Sequence, residues 1–162
     1  MKEKIKERKE LLGIIKDLNA KAKRIVFTYG CFDLLHIGHV PYLEEARALG
    51  DVLVVGINSD ASVRKLKGPQ RPILPEQERA EILSGLACVD YVTLFDEIDP
   101  LNLITSLRPD VLVKGGDWTK EQIVGREEVE KSGGEVFLIP FVEKASTSNL
   151  IEMILKRYEK NA

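Results

Sequence analysis

The two histidines of this chain lie three positions apart, in the tetrad His36-Ile37-Gly38-His39. An apolar run at 24–29, typical of a strand, precedes them, and a helix beginning near Gly38 would turn both imidazoles toward its N-terminus. The first turn of a helix offers unpaired backbone N–H groups and a partial positive charge. Gly38 has no side chain to hold a phosphate away from that end. The tetrad therefore indicates a polyanion site, and a triphosphate is the ligand that it favours.

A metal ion is the alternative ligand for two histidines at helical spacing. Such a site needs a third protein ligand, and Asp33 is the nearby candidate. Because the sequence offers so little beyond the histidine pair, we expect no metal ion bound by the protein itself.

A second polar segment, at 58–71, follows another apolar run. Gly68 and the prolines at 69 and 72 predict an irregular loop around its basic residues rather than a helix. The segment is either a solvated basic loop or a clamp for phosphate, and we favour the clamp. Four cations lie within eight positions here: Arg64, Lys65, Lys67 and Arg71.

Two further segments could contact a ligand. Gly115 and Gly116 end an apolar run and would let the backbone approach a flat ligand, while Trp118 is as suited to the surface as to stacking on a ring. Ser146-Thr147-Ser148 opens the last helical pattern. Those hydroxyls can cap the helix and can also form an anion site at its N-terminus.

Composition narrows the class of protein. A chain of 162 residues is about one domain on the usual prior of roughly 100–200 residues. The net charge of −2 argues against a general nucleic-acid or membrane binder. Cys31 and Cys88 form no disulfide framework, which favours a reducing cytoplasm. The first ten residues are too charged for a secretory signal, and no apolar run approaches the roughly 18–20 residues of a membrane span.

The elements that must position these residues follow from hydrophobic periodicity. An amphipathic helix is predicted at 3–20, giving a division into an N-terminal helix at 1–21 and a domain at 22–162. The strand runs are nearly continuously apolar, so the predicted fold is α/β with a doubly wound, parallel, five-stranded sheet. All four polar segments follow strand ends, where such sheets bind ligands. Strands are predicted at 24–29, 51–57, 89–94, 110–114 and 135–140, and helices at 38–49, 76–87, 99–107, 121–131 and 147–159.

The run Gly-Cys-Phe-Asp-Leu-Leu-His-Ile-Gly-His at 30–39 resembles the signature of the HxGH-motif nucleotidyltransferase superfamily. The resemblance implies a Rossmann-like domain in which His36 and His39 contact the phosphates of the nucleotide. That family forms no covalent intermediate, which disfavours Cys31 as a nucleophile. Nucleotide contacts are implied for Thr28, Tyr29, Gly30, Cys31, Phe32, Gly38, Lys114, Gly115, Asp117, Ser146, Thr147 and Ser148.

The same resemblance assigns roles to the cations. Lys65 and Lys67 resemble the lysine pair of the cytidylyltransferase branch, and Lys65 is expected to be catalytic with the histidines. Arg79 matches a superfamily arginine that serves substrate phosphate, although it could instead pair with an acid of its own helix such as Glu76. Contacts to substrate phosphate are expected from Asp33, Lys67, Arg71 and Arg79.

Over about 20–158 the chain is similar to the adenylyltransferase branch that makes ADP-heptose, through the runs at 55–68, 71–79, 112–118 and 133–140. The resemblance implies transfer of AMP from ATP to D-glycero-β-D-manno-heptose 1-phosphate, for lipopolysaccharide or another glycan. It implies Mg²⁺ carried on ATP, a homodimer and a separate heptose kinase. No nucleic acid or membrane partner is expected. The acceptor phosphate is already anionic, so no general base is required.

Three alternatives stay open. A cytidylyltransferase acting on glycerol 3-phosphate or a related phosphoalcohol would use the same motifs, and a non-catalytic nucleotide-binding module could retain them. The N-terminal helix could also dock a partner such as a kinase. Two departures from the branch concern the site: Tyr29 replaces the usual Asn, and Lys144-Ala145 replaces the usual small residues before the Ser/Thr segment.

Overall fold

Five parallel strands form one sheet in the part of the chain that the structure, a computed structural model, describes: residues 2–116, 118–140 and 146–159. The strands alternate with helices along the chain, which confirms the α/β prediction. The strands are β1 (Ile25–Gly30), β2 (Val52–Asn58), β3 (Tyr91–Phe95), β4 (Val111–Gly115) and β5 (Glu135–Ile139). The helices are α1 (Arg8–Ala20), α2 (His39–Ala48), α3 (Asp60–Lys67), α4 (Glu76–Ser84), α5 (Leu101–Leu107), α6 (Arg126–Lys131) and α7 (Thr147–Glu159), with 3-10 turns at Lys2–Lys4 and Lys120–Gln122.

The strand order is β3-β2-β1-β4-β5, so β1 lies at the centre. Val26 of β1 pairs with Leu53 of β2 on one side and with Val111 of β4 on the other. The chain moves outward from β1 to β3 and then returns across the sheet to β4. The connections that leave β1 and β4 therefore run to opposite faces of the sheet, and this switch in order is where a doubly wound sheet opens a crevice.

Each face of the sheet packs against its own helices. Val26 belongs to a core shared with Leu43 of α2 and Leu83 of α4, whereas the next residue, Phe27, belongs to a core shared with Leu11 of α1. Successive side chains of a strand point to opposite faces, so one buried strand contributes to both layers. The continuous apolar runs of the sequence follow from this arrangement.

The N-terminal segment differs from the single helix predicted at 3–20. A 3-10 turn ends at Lys4, Ile5 makes a parallel bridge to Val92, and α1 begins only at Arg8. Lys6 N–H donates to the carbonyl of Val92 at 2.9 Å. The segment extends because β3 is an edge strand whose backbone groups would otherwise be unpaired.

The basic segment was predicted as an irregular loop, and this prediction was wrong for its first part. Residues 60–67 form α3, whose N-cap Ser59 accepts a hydrogen bond from Ser62 N–H. Gly68 has a φ of 94° and ends the helix, so the glycine and prolines follow the helix rather than interrupt it. Its basic residues occupy the last turn, where cations complement the helix dipole.

The helix predicted at 121–131 is also divided. A 3-10 turn ends at Gln122, and α6 begins at Arg126, after Gly125 with a φ of 86°. A side chain at Gly125 would lie 2.5 Å from Ile104 Cδ1, so the backbone must pass close to α5 there. No helix in the described part of the chain is long and apolar enough to span a membrane.

Candidate functional site: a phosphate-binding cavity

A cavity of ≈ 580 Å³ lies at the carboxyl edge of the sheet. Its walls come from the loop after β1, the start of α2, the end of α3, the end of β4 and the start of α7. Among the predicted residues, those lining it are Tyr29, Gly30, Cys31, Phe32, Asp33, His36, His39, Lys67, Arg71, Lys114, Gly115, Ser146, Thr147 and Ser148. Thr28, Gly38, Lys65 and Arg79 do not line it, and Asp117 and Lys144-Ala145 lie outside the described residues.

The two histidines lie where the sequence predicted them, at the N-terminus of α2. Gly38 is the N-cap of that helix. The backbone N–H of Gly38 donates to His36 Nδ1 at 3.1 Å, and that of His36 donates to His39 Nδ1 at 3.3 Å. A neutral imidazole that accepts at Nδ1 carries its proton on Nε2. The loop therefore assigns each ring an Nε2–H donor.

The electrostatics keep both rings neutral. Desolvation lowers the pKa of His36, and desolvation together with the adjacent His36 lowers the pKa of His39 to about 4. The ring centroids are 3.9 Å apart, so two imidazolium charges would repel strongly. At neutral pH the pair can donate two hydrogen bonds without carrying a full charge.

Asp33 is a structural anchor as well as a cavity residue. Its carboxylate is fully buried and accepts hydrogen bonds from Ile73 N–H at 2.8 Å and Leu74 N–H at 3.0 Å, and from Arg71 Nε at 2.6 Å. Burial alone would raise the pKa of this carboxyl, but these donors hold it below its usual value. Asp33 thus fixes the segment after α3 against the histidine loop.

Arg79 also connects several loops, although its side chain does not line the cavity. It is 1% exposed, and its guanidinium donates to the carbonyls of Leu74 and Cys31 and to Asp60 Oδ1 at 2.7 Å. The anticipated alternative partner, Glu76, instead accepts from Asp60 N–H at 2.7 Å. These contacts join the loop after β1, the segment before α4 and the start of α3, so Arg79 holds the loops together.

Only one of the two lysines of α3 reaches the cavity. Lys67 lines the cavity, whereas Lys65 is exposed and lies outside the lining. Residues two apart on a helix do not face the same way, which explains the division. The sequence prediction placed both in one irregular loop and assigned the catalytic role to Lys65, which lies outside the cavity lining.

Lys114 enters the cavity from the end of β4. Its Nζ donates to the carbonyl of Tyr29 at 3.0 Å and lies 3.8 Å from the centroid of the Tyr29 ring. Burial lowers the pKa of Lys114 to about 8, with a smaller contribution from Lys67. Trp118 also lines the cavity, 5.7 Å from the same ammonium, and remains 48% exposed.

The Ser/Thr segment closes the opposite wall. Ser146 Oγ accepts from Asn149 N–H at 3.1 Å, and Thr147 Oγ1 donates to the carbonyl of Leu34 at 3.3 Å. Ser146 therefore caps α7 while lining the cavity. The capping and anion-site interpretations describe the same N-terminus.

Several positioning residues were missed by sequence reasoning. Tyr42 OH donates to the carbonyl of Val113 at 3.2 Å and is hydrogen bonded to Thr28, so it ties α2 to the central strands. Its place three residues after His39 on the same helix face was the available signal. Asn58 closes β2 and donates to Ser62 Oγ at 2.9 Å, and it lines the cavity.

The described residues do not favour the two competing chemistries, a protein-bound metal ion and a cysteine nucleophile. No group of three His, Cys, Asp or Glu side chains is placed to hold a metal ion in residues 2–116, 118–140 and 146–159. Burial raises the pKa of the Cys31 thiol, although several nearby cations oppose it, so a thiolate is disfavoured.

The fold and the cavity define a class. A doubly wound parallel sheet with a switch beside β1, and with neutral histidine donors and a capped helix N-terminus at its carboxyl edge, is a nucleotide-phosphate-binding domain of the Rossmann type. The cytidylyltransferase-like family model matches residues 27–159, and the chain belongs to that family of nucleotidyltransferases.

The comparison with curated proteins is consistent with this assignment. The chain is 58% identical over 157 residues to the bifunctional protein HldE of Syntrophotalea carbinolica, covering 97% of the chain and 32% of that protein. It is 59% identical over 155 residues to the protein of the same name from Geobacter sulfurreducens, again covering 32% of it. The chain thus spans about a third of the length of these relatives.

Solved structures agree on the fold. A lipopolysaccharide core biosynthesis protein from Thermoplasma volcanium is 30% identical with a TM-score of 0.62, over 76% of this chain and 99% of that one. A pantoate-beta-alanine ligase from Francisella tularensis, in complex with beta-gamma ATP and beta-alanine, has a TM-score of 0.64 at 19% identity, over 96% of this chain and 77% of that one. The second likeness shows the fold alone.

Proposed function

We propose that this chain transfers AMP from ATP to D-glycero-β-D-manno-heptose 1-phosphate, giving ADP-heptose and pyrophosphate. The neutral histidine pair carries this proposal, because it supplies two fixed Nε2–H donors at a helix N-terminus. The similarity to HldE proteins over 97% of the chain favours this acceptor, as does the likeness to a lipopolysaccharide core biosynthesis protein.

In the proposed reaction an oxygen of the sugar phosphate attacks the α-phosphorus of ATP. The bond from that phosphorus to the bridging oxygen breaks, and pyrophosphate leaves with the bonding electrons. The nucleophile is already an anion, so no protein group has to remove a proton. Catalysis then consists of alignment and charge stabilisation.

His36 and His39 would donate Nε2–H bonds to the phosphoryl oxygens on which charge develops. The N-terminus of α7, with Ser146–Ser148, would hold the outer phosphates of the nucleotide. Mg²⁺ enters as part of the MgATP substrate. Asp99 lines the cavity and accepts from Leu101 N–H through Oδ1 at 3.0 Å, so its other oxygen could contact the ion.

A pyrophosphate-release assay tests the proposal. ATP and CTP are each combined with the heptose 1-phosphate and with glycerol 3-phosphate, in the presence of Mg²⁺. Release from ATP with the heptose substrate alone is the expected result. Release from CTP with glycerol 3-phosphate would favour the cytidylyltransferase alternative, and tight ATP binding without release with any acceptor would favour a non-catalytic module.

The proposal also covers the oligomeric state of the protein and the source of its sugar 1-phosphate. α7 is exposed along an apolar face, which would suit a homodimer, and light scattering of the purified chain would test that state. A heptose kinase has to supply the sugar 1-phosphate. The exposed residues of the face are Met153, Ile154, Leu155 and Tyr158.

A further inference from the structure

The cations around the cavity differ in whether the protein neutralises them. Arg71 lies 2.6 Å from Asp33 Oδ2, and Arg79 lies 2.7 Å from Asp60 Oδ1. Each of these arginines has an internal carboxylate, so it contributes little net charge to the cavity. Both were expected from the sequence to contact substrate phosphate.

Lys67 and Lys114 also line the cavity, and neither has such a partner among the described residues. Within residues 2–116, 118–140 and 146–159, no carboxylate oxygen lies within 4.0 Å of either ammonium. Lys67 comes from the last turn of α3 and Lys114 from the end of β4, so they approach the same space from two elements. Two cations that face one cavity, neither of them within 4.0 Å of a described carboxylate oxygen, leave room for a doubly charged anion.

Lys114 is the more rigid member of the pair. Its stem leaves a sheet strand, its Nζ donates to the Tyr29 carbonyl, and the Tyr29 ring supports the ammonium at 3.8 Å. The ring itself stacks on Phe27 of the core at 6.2 Å. A cation held in this way keeps its position whether or not a ligand is bound, whereas Lys67 is exposed on its helix.

We propose that Lys114, with Lys67, binds the phosphate of the acceptor and so holds the nucleophile beside the nucleotide. This inference rests on the proposed function. The histidines and the α7 N-terminus already offer donors to the triphosphate, which leaves the acceptor phosphate without a site. The pair of lysines would offset the repulsion between that phosphate and the nucleotide.

The proposal carries a pH dependence. The titratable groups that face the Lys114 ammonium among the described residues are Tyr29 and Cys31 from β1 and its loop, and Lys67 from α3. Since the pKa of Lys114 is about 8, the ammonium loses its proton as pH rises through that value in the unliganded protein. Acceptor kcat/KM should therefore fall above about pH 8, and Lys114→Arg should move that decline to higher pH.

The first test separates acceptor from nucleotide in steady-state kinetics. Lys114→Met and Lys67→Met should raise the KM for the acceptor about 10- to 100-fold, the loss of one charge-assisted hydrogen bond. The KM for ATP should change less than about threefold. Lys120→Met is the matched control, because Lys120 is exposed in the 3-10 turn after β4 and does not line the cavity.

The proposal is wrong if Lys114→Met raises the KM for ATP and leaves that of the acceptor unchanged, or if Lys114→Arg does not move the alkaline limb. A thermal unfolding curve for each variant shows whether it folds. Lys114→Arg keeps the charge, so its pH profile tests the proposal even if Lys114→Met does not fold.

A second measurement does not depend on the sugar. The full chain is saturated with α,β-methylene ATP and Mg²⁺, and binding of inorganic phosphate is followed by calorimetry. Phosphate should bind to the wild type and to Lys120→Met, and not to Lys114→Met. If phosphate binds as expected but no heptose phosphate is adenylylated, the proposed function is wrong and the lysine site stands. If heptose phosphate is adenylylated but Lys114→Met binds phosphate normally, only the lysine site is wrong.

Discussion

Arg79 and Lys114 are both largely buried cations at the cavity end of the sheet, yet their surroundings differ. Arg79 donates to two backbone carbonyls and pairs with Asp60. Lys114 has a carbonyl and an aromatic ring, and no described carboxylate. A guanidinium has several donors in a fixed plane and suits the joining of loops, whereas an ammonium is a compact charge that a ligand can share.

By this difference, the charged and polar residues around the cavity fall into two groups, which we call the frame and the donors. The frame comprises Asp33 with Arg71, and Asp60 with Arg79, and each arginine forms an ion pair with its carboxylate. The donors comprise His36, His39, Lys67 and Lys114, which line the cavity. Frame residues should change mainly stability when replaced, and donors mainly turnover or binding. The predictions below test that division.

The largest expected effect is on stability, at Arg79. Arg79→Met leaves the Asp60 carboxylate and the Cys31 and Leu74 carbonyls without their donor, and should lower the free energy of unfolding by about 3–5 kcal/mol. Urea unfolding measures it. Lys114→Met should cost under about 1 kcal/mol in the same assay, because it leaves only the Tyr29 carbonyl without a donor and removes an ammonium that burial disfavours.

A double variant sharpens this prediction. Asp60→Asn with Arg79→Met should be destabilised less than the sum of the two single variants, because the carboxylate that would be left unpaired is removed with its partner. A stable Arg79→Met that has lost acceptor binding would show that Arg79 contacts substrate, as the superfamily resemblance implied, and would move it from the frame to the donors.

The next effect is on turnover, at His39. His39→Ala should lower kcat by roughly 10²–10³, the usual cost of removing one transition-state donor. Ile37→Ala is a matched control from the same loop, since Ile37 is 66% exposed and does not line the cavity. A loss of less than about tenfold for His39→Ala would remove it from the catalytic donors.

A third effect links the histidines to pH. The pKa of His39 is about 4 in the folded chain against 6.5 for an ordinary histidine, so the unfolded chain binds more protons between these values. The free energy of unfolding should therefore rise with pH from about 4 to 6.5, by at most about 3 kcal/mol from this residue.

Asp33 acts in the same direction at lower pH, because its depressed pKa makes its contribution disappear as the carboxyl is protonated. Urea unfolding of the wild type and of His39→Gln, at pH 4.5 and pH 6.5, isolates the histidine. Equal pH dependence in the two proteins would contradict a neutral, desolvated His39.

Much of the fold was accessible from the sequence because periodicity is local. Each predicted strand lies within two residues of an observed one, and Gly38 caps α2 as its position indicated. α3 was missed because Gly68 and the prolines were taken as interruptions, whereas Ser59 and Gly68 are its two caps. Ser59 precedes the cations of α3 and Gly68 follows them, and that order of cap residues is the signal for a helix between them.

The site was predicted at the level of segments and not of partners. The histidine, β4 and Ser/Thr segments meet at one cavity as expected. Which cation is neutralised could not be predicted, because Asp33 and Arg71 are 38 positions apart and Arg79 and Asp60 are 19 apart. Such pairs depend on how the crossovers place the loops, and local pattern carries no information on that.

The smallest expected effect concerns Tyr29, whose ring lies 3.8 Å from the Lys114 ammonium. Tyr29→Phe keeps the ring beneath Lys114 and should change acceptor kcat/KM less than about threefold. Tyr29→Asn removes the ring and should lower it by about 3- to 30-fold, corresponding to a cation–π contribution of roughly 0.5–2 kcal/mol. Both variants keep the backbone carbonyl that accepts from Lys114.

The measurement is acceptor kcat/KM between pH 7 and 9.5 for the wild type and both variants. Loss of the ring should also move the alkaline decline in Tyr29→Asn, because the ammonium would be less desolvated and would keep its proton to higher pH. A shift in Tyr29→Phe equal to that in Tyr29→Asn would assign the effect to the phenol. In that case the Tyr29 ring would not stabilise the ammonium, and β4 and the Tyr29 carbonyl would hold it in position.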